Sequence, residues 1–266
     1  MEALEFKLQG KMAHFRKYYS NSTALSYYVP PVTTIKGLLA GLIGRERDSY
    51  YEEFSNKQCL IGIAIDMPLR KITQTMNLLK VEKIADLSGT GTHTQNNTEW
   101  IIPENIRTGI LSYTVVVAHK NPDIMNALCN KIVGLSDGYL SDGIALALGS
   151  AQCQGWISEG RKIKLVPQKA SNEKILSRFA IPVKYINKME LYQNCLTVKK
   201  EETITEFNFD KDIKLRCITQ KSKESIMISG NGKPIVYQLK QGSTYWGYEE
   251  ENLVLLGGEN DNMGAL

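Results

Sequence analysis

No stretch of this chain stays apolar for the roughly 18 residues that a membrane-crossing helix needs. Glu2, Glu5 and Lys7 interrupt the start, where a secretory signal would be apolar, so a cytoplasmic protein is expected. Cysteines are few, odd in number and far apart. Cys59, Cys129, Cys153, Cys195 and Cys217 form no CxxC pair, which argues for reduced thiols and against a structural zinc site. The three histidines, His14, His93 and His119, stand at metal-ligand spacing neither with one another nor with a cysteine. GxSxG, HExxH, GxGxxG and Walker spacings are all missing, so no metal or cofactor is expected. Internal repeats and low-complexity segments are missing too. Net charge is only +4, too little for a general polyanion binder.

The length, 266 residues, suffices for one large or two modest domains, and 42% hydrophobic with 23% charged residues is ordinary for a soluble protein. Charge distribution says more than its sum. Gly160 to Lys200 holds ten Lys and Arg against Glu173 and Glu190, while Gly247 to Leu266 holds five acids and no base. That asymmetry fits a polyanion on one side and a protein on the other, or simply two solvated faces.

The most informative stretch is Leu4 to Gly44. Leu4, Phe6 and Leu8 alternate with Glu5, Lys7 and Gln9 as in a half-buried strand, which Gly10 ends. The loop Lys11 to Val29 carries Lys11, His14, Arg16 and Lys17 without an acid, interleaved with Phe15, Tyr18, Tyr19, Tyr27 and Tyr28. Cations for phosphates beside rings for bases suit single-stranded nucleic acid. A surface loop whose tyrosines fold back onto the core fits equally. A helix follows Pro30 and Pro31, with Thr33 or Thr34 as cap. Ile35, Leu38, Leu39, Leu42 and Ile43 share one stripe, and Gly37, Ala40, Gly41 and Gly44 the opposite face. Interior glycines cost about 1 kcal/mol each relative to alanine, so a polypeptide or polynucleotide backbone is expected to press on that face.

Further strands are expected at Cys59–Met67, Ile110–Ala118 and about Gly155–Ser158, and a helix after Asn121-Pro122-Asp123 with Ile124, Leu128, Ile132 and Leu135 inward. A turn Ser136-Asp137-Gly138 and an apolar run Ile144–Leu148 come between. The order is the ferredoxin-like βαββαβ pattern that RNA-recognition modules share, an α+β class. Its departure is the connection Pro68 to Gly109, far beyond the about 15 residues of an ordinary loop. It reads as a projecting hairpin, or thumb, or as a floppy insertion. Residues 167–266 read as a small β-rich domain behind a first domain of 1–166, with Ser229-Gly230-Asn231-Gly232 joining two strands as a hairpin. For chemistry, His119 with Lys120 is the best suspect. The pair could cleave RNA beside a 2′-hydroxyl by acid–base action, or merely end a strand.

The opening segment resembles the CRISPR-associated Cas-five family, a RAMP family whose members hold the 5′ handle of the guide RNA (crRNA) in Cascade. The resemblance rests on the strand ending at Gly10, Ala13-His14-Phe15-Arg16, Ser26-Tyr27, Pro30-Pro31, Thr33-Thr34, and Gly37 through Gly44. Leu148-Gly149-Ser150-Ala151-Gln152-Cys153 is similar to the family's second marker, and the tyrosine-rich Asp48 to Phe54 looks most like the type I-B branch. Val32 stands where the family often has arginine. The resemblance implies a non-catalytic scaffold that caps the crRNA handle, contacts the Cascade backbone subunit and large subunit, and meets target DNA only through the complex. Candidate RNA contacts are then Lys11, His14, Phe15, Arg16, Lys17, Tyr27 and Lys36, Arg70, Lys71, Gln74, Asn77, Lys80 and Arg107 on the thumb, and Gly149, Ser150 and Gln152. The alternatives are a metal-independent ribonuclease using His119 and Lys120, which processes precursor crRNA, and a general RNA-binding module.

Overall fold

Alternating apolar side chains make β1 (Glu2–Gly10) a strand with one face for each side of a sheet. The computed structural model describes residues 1–134, 145–190, 197–210, 212 and 215–258. After β1 come α1 (Val32–Leu42), β2 (Cys59–Ile65), β3 (Leu69–Leu79), β4 (His93–Pro103), β5 (Leu111–His119), α2 (Pro122–Ile132) and β6 (Gly155–Lys164). The expected positions Leu135, Ser136-Asp137-Gly138 and Ile144 lie outside the described residues. The main sheet has the order β2-β5-β1-β6 with every pairing antiparallel.

One sheet face carries Leu4, Phe6, Leu8, Ile61, Ile63, Val115 and Val117, which share a core with Ile35, Leu39, Ile124 and Leu128 of the two helices. Helix α2 begins as its sequence dictates: the Asn121 side chain accepts from the Asp123 N–H at 2.8 Å, with proline at the first helical position. Helix α1 follows Pro31 with no side-chain cap, so neither Thr33 nor Thr34 serves.

The other sheet face carries Ala3, Leu60, Ala64, Val116 and Ala118, and the described residues of the segment 166–258 cover it, Phe179, Trp246, Tyr248, Leu253 and Leu255 among them. Their strands are β7 (Val166–Lys169), β8 (Lys174–Ser177), β9 (Ile181–Pro182), β10 (Ile186–Glu190), β11 (Val198–Ile204), β12 (Asn208–Asp210), β13 (Leu215–Cys217), β14 (Lys223–Ser229), β15 (Ile235–Leu239), β16 (Thr244–Tyr248) and β17 (Glu251–Leu253). Phe179 and Trp246 are buried against the sheet, each contributing about 2–3 kcal/mol. An RNA-recognition module stacks bases on this face of its sheet. Here protein occupies it.

Strands β14 and β15 do not form the expected hairpin. β14 pairs with β9 and β11, β15 with β8 and β10. The turn between them packs onto the end of β2: a Cβ on Gly232, at φ +76°, would stand 2.8 Å from the Asp66 carbonyl carbon, so the two strands splay into separate sheets. The long connection is a ribbon. β3 and β4 pair without interruption from Leu69↔Pro103 to Leu79↔His93.

Candidate nucleic-acid interface

The loop after β1 folds onto the base of the β3–β4 ribbon. Ala13 and Ile101 exchange backbone hydrogen bonds at 3.0 and 2.8 Å, and Ala24 bridges to the same strand through Asn97 and Glu99 at 2.8 and 2.9 Å. The loop also closes on itself, with the Tyr27 N–H donating to the Phe15 carbonyl and Lys17 to Leu25, both at 2.8 Å. On its other flank the His14 N–H donates to the Leu148 carbonyl at 3.0 Å. Gly149, at φ +92°, lies so close that a Cβ there would stand 2.0 Å from the His14 oxygen. Three segments far apart in sequence therefore meet: the basic–aromatic loop, the ribbon base and the Gly149 loop. The close approach that glycine permits at 149 is taken by the protein's own backbone.

Exposure sorts the candidate residues. Lys11 and Arg16 face solvent with no acidic partner among the described residues, Arg16 donating to the Ser20 carbonyl at 3.2 Å. Gly149 and Gln152 are exposed beside them, and Ser150 is half-buried. His14, Phe15 and Tyr27 are corrections, for all three are buried. The His14 Nδ1 engages the Glu99 carbonyl at 2.7 Å and its ring lies 5.5 Å from that of Trp100. Phe15 and Tyr27 belong to the helix-side core, so their rings cannot stack on a base. Lys36 is a correction too: its ammonium points inward, donating to Asn56 Oδ1 at 2.7 Å and the Thr205 carbonyl at 3.1 Å, and burial holds its pKa down.

Lys17 and Lys71 are spoken for. Both converge on the buried carboxylate of Glu201 in β11, which also accepts from the Tyr28 N–H at 2.9 Å. Lys17 is 3.4 Å from it, while Lys71 pairs with Glu99 at 3.3 Å and donates to the Ser26 carbonyl. Burial pushes the Glu201 carboxyl up and the Lys71 ammonium down, each against the pull of the opposite charge. Glu201 thus ties loop, ribbon and the C-terminal strands together, a role that no local sequence signal announces.

On the ribbon, side-chain alternation puts Arg70 and Gln74 on one face and Lys71 and Asn77 on the other, so these four do not form one surface. Lys80 pairs with Glu82 at 2.7 Å, and Arg107 is exposed at the ribbon base. The ribbon tip is apolar: Leu78, Val81, Ile84 and Leu87 are exposed, Ile84 to 88%.

His119 does not fit acid–base work. Its Nδ1 accepts from the Asn121 N–H at 3.0 Å and its Nε2 donates to the Glu53 carbonyl at 2.9 Å, which fixes a neutral ring whose pKa burial lowers. Neither nitrogen is left for a substrate. Lys120 is exposed and lines an open cleft of about 1780 Å³ between the Asp48–Gly258 rim segments, with Tyr51, Lys57, Phe207, Phe209 and Lys221. The expected backbone on the small face of α1 is instead a side chain: a Cβ on Gly37 would stand 2.7 Å from the Tyr50 hydroxyl. Part of the basic flank is neutralised within the chain. Arg161 pairs with Glu5 and Glu249, Arg178 with Asp66 and Glu251, Lys184 with Glu224, and Lys174 with Glu190. Two acids of the C-terminal stretch, Glu249 and Glu251, thus serve bases of the same chain. Among the described residues no cluster of metal-ligating side chains occurs, and no helix is long and apolar enough to cross a membrane.

No curated protein matches the sequence. The family model described as CRISPR-associated protein (Cas_Cas5) matches residues 3–99, the span from β1 into β4. Among solved structures, a CRISPR protein from Archaeoglobus fulgidus is similar at 13% identity with a TM-score of 0.59, over 96% of this chain and 99% of that one. A chain of a CRISPR RNA-guided surveillance complex is similar at 12% identity with a TM-score of 0.47, over 90% of this chain and 91% of that one. Only the first is near enough to speak for the fold. The family match covers the opening strand, loop and helix and reaches into the ribbon, and the fold is shared with a CRISPR protein along nearly the whole chain.

Proposed function

We propose that this chain is a non-catalytic, RNA-holding subunit of a cytoplasmic type I CRISPR Cascade complex, of the I-B branch, built on a ferredoxin-like domain. It caps the 5′ handle of the crRNA, reaches the neighbouring backbone subunit with its ribbon, docks the large subunit, and meets target DNA only through the assembly. The observation that carries this reading is the meeting of the loop, the ribbon base and the Gly149 loop, where Lys11 and Arg16 face solvent with no acid among the described residues to neutralise them. Free cations on a rigid, backbone-anchored platform suit a polynucleotide backbone. The apolar ribbon tip supports a protein contact for Leu78, Val81, Ile84 and Leu87, since single aliphatic residues scatter over surfaces but seldom gather at one projection. The sealed ring of His119 favours holding over cutting.

The test is the affinity of repeat-derived RNA for the double variant Lys11→Ala, Arg16→Ala. Loss of two phosphate contacts should weaken binding by roughly tenfold or more at low salt and make the salt dependence shallower by about two contacts. Unchanged affinity at matched salt overturns the assignment.

A further inference from the structure

The aromatic side chains of the loop are not equivalent, and their surroundings single one out. Phe15 and Tyr27 are in the core. Tyr28 is covered on its ring by two ammonium groups, Lys71 at 4.3 Å and Lys199 at 5.1 Å from the centroid. Tyr18 is held by its hydroxyl on Glu202 and by Lys223, 5.1 Å from its ring. Tyr19 alone of the five is half in water, at 50% exposure.

Its exposure is built. The Ser20 N–H donates to the Lys17 carbonyl at 3.1 Å, closing a four-residue turn with Tyr18 and Tyr19 at its corners, and the Ser20 hydroxyl bonds the same carbonyl at 2.8 Å. Arg16 Nη2 donates to the Ser20 carbonyl, so the guanidinium brackets the turn. The locked Tyr18 meets Tyr19 nearly edge-on, with centroids 5.0 Å apart and planes at 88°. Lys17, fixed by Glu201, lies 5.7 Å from the Tyr19 centroid. A ring set at a turn corner by neighbours on two sides is oriented before any ligand arrives, and an unneutralised guanidinium stands beside it.

We propose that Tyr19 is a stacking platform for one base of single-stranded RNA, and that Arg16 takes a phosphate next to that base. This deepens the RNA-holding reading and rests on it. A flat ring beside a forked cation matches a nucleotide, because every base has a π-face and every linkage an anionic oxygen pair.

The test uses a short oligouridylate carrying one fluorescent adenine analogue, its duplex form, and the full chain with Tyr19→Ala, Tyr19→Phe or Arg16→Ala. Tyr19→Ala should bind the single strand about tenfold more weakly, with the salt slope unchanged and the quenching of the analogue lost. Tyr19→Phe should keep both affinity and quenching, and duplex binding should not change with position 19. Arg16→Ala should make the salt slope shallower by about one. If Tyr19→Ala retains affinity and quenching while Arg16→Ala weakens binding, the stacking proposal fails and the RNA-holding reading stands. Equal losses on single strand and duplex also overturn stacking. If no variant alters binding, both fall.

Discussion

Gly149→Ala tests the junction on which the interface is built. Two costs are separable there. At φ +92° an L-residue is strained by about 1–2 kcal/mol. The new Cβ would also stand 2.0 Å from the His14 carbonyl oxygen, 2.7 Å from its carbon and 3.1 Å from Phe15 Cδ1. The first two are backbone atoms of a segment fixed to β4 on one side and to Leu148 on the other, so relief requires the two loops to part. Overpacking of this kind costs about 1–3 kcal/mol, and the sum is about 3–4 kcal/mol. For a chain of this length that lowers the melting temperature by roughly 10 °C. Gly242→Ala is the internal control: its φ is +81° with nothing within 4 Å of the added carbon, so only the strain of about 1 kcal/mol remains. Urea and thermal unfolding of the two variants, side by side, read the difference directly. RNA affinity should fall only for Gly149→Ala, because parting the loops moves the segment that bears Arg16. Equal stability of the two variants would refute the argument that the His14 backbone fills the space over Gly149.

Two further outcomes follow from buried charge. Burial lowers the His119 pKa from 6.5, against the opposing pull of the Glu53 carbonyl. The unfolded chain therefore takes up the proton first, so this contribution is complete above pH 6.5 and is lost as pH falls below it toward the folded value. His119→Gln should cost about 1–2 kcal/mol at neutral pH, through its two hydrogen bonds, and flatten the acid limb of a stability–pH curve; an unaltered limb refutes the assignment. Arg178 joins Asp66 at 2.6 Å and Glu251 at 2.6 Å where the C-terminal strands cover the sheet. Arg178→Met should cost about 2 kcal/mol in urea unfolding, below the about 3–5 kcal/mol of a fully buried pair because Asp66 keeps Lys7 at 3.0 Å and hydroxyl donors from Ser112 and Thr114. A loss below about 0.5 kcal/mol would mean that the pair does not hold the two layers together.

The strands and helices of the first 166 residues were legible because their signals are local. Alternation at Leu4, Phe6 and Leu8 fixes which side of β1 is buried, and Asn121-Pro122-Asp123 starts α2 through a hydrogen bond two residues long. The ribbon was legible from its length and its alternating first leg. What failed depended on partners far away in sequence. Ser229 to Gly232 has the composition of a hairpin turn, yet the docking of Gly232 on Asp66 decides that the strands diverge. The small face of α1 called for a close neighbour, and one is there, but the spacing of glycines cannot say whether it is a nucleic acid or Tyr50.

The same limit governs the interface. Arg16 and Lys17 are adjacent, alike in charge and in one loop, so composition treats them as a pair. Backbone alternation turns Lys17 inward to a carboxylate at position 201, while Arg16 turns outward and finds only a carbonyl. A count of bases therefore overstates attraction for RNA wherever the fold supplies the matching acids. On the flank from 160 to 190 it supplies them for Arg161, Lys174, Arg178 and Lys184, which weakens the positive field there. Positive charge without a carboxylate partner is what remains to meet phosphate. On the proposed reading Lys11 and Arg16 are two such charges, set beside the half-exposed ring of Tyr19, and the strand's path runs over the junction of loop and ribbon base.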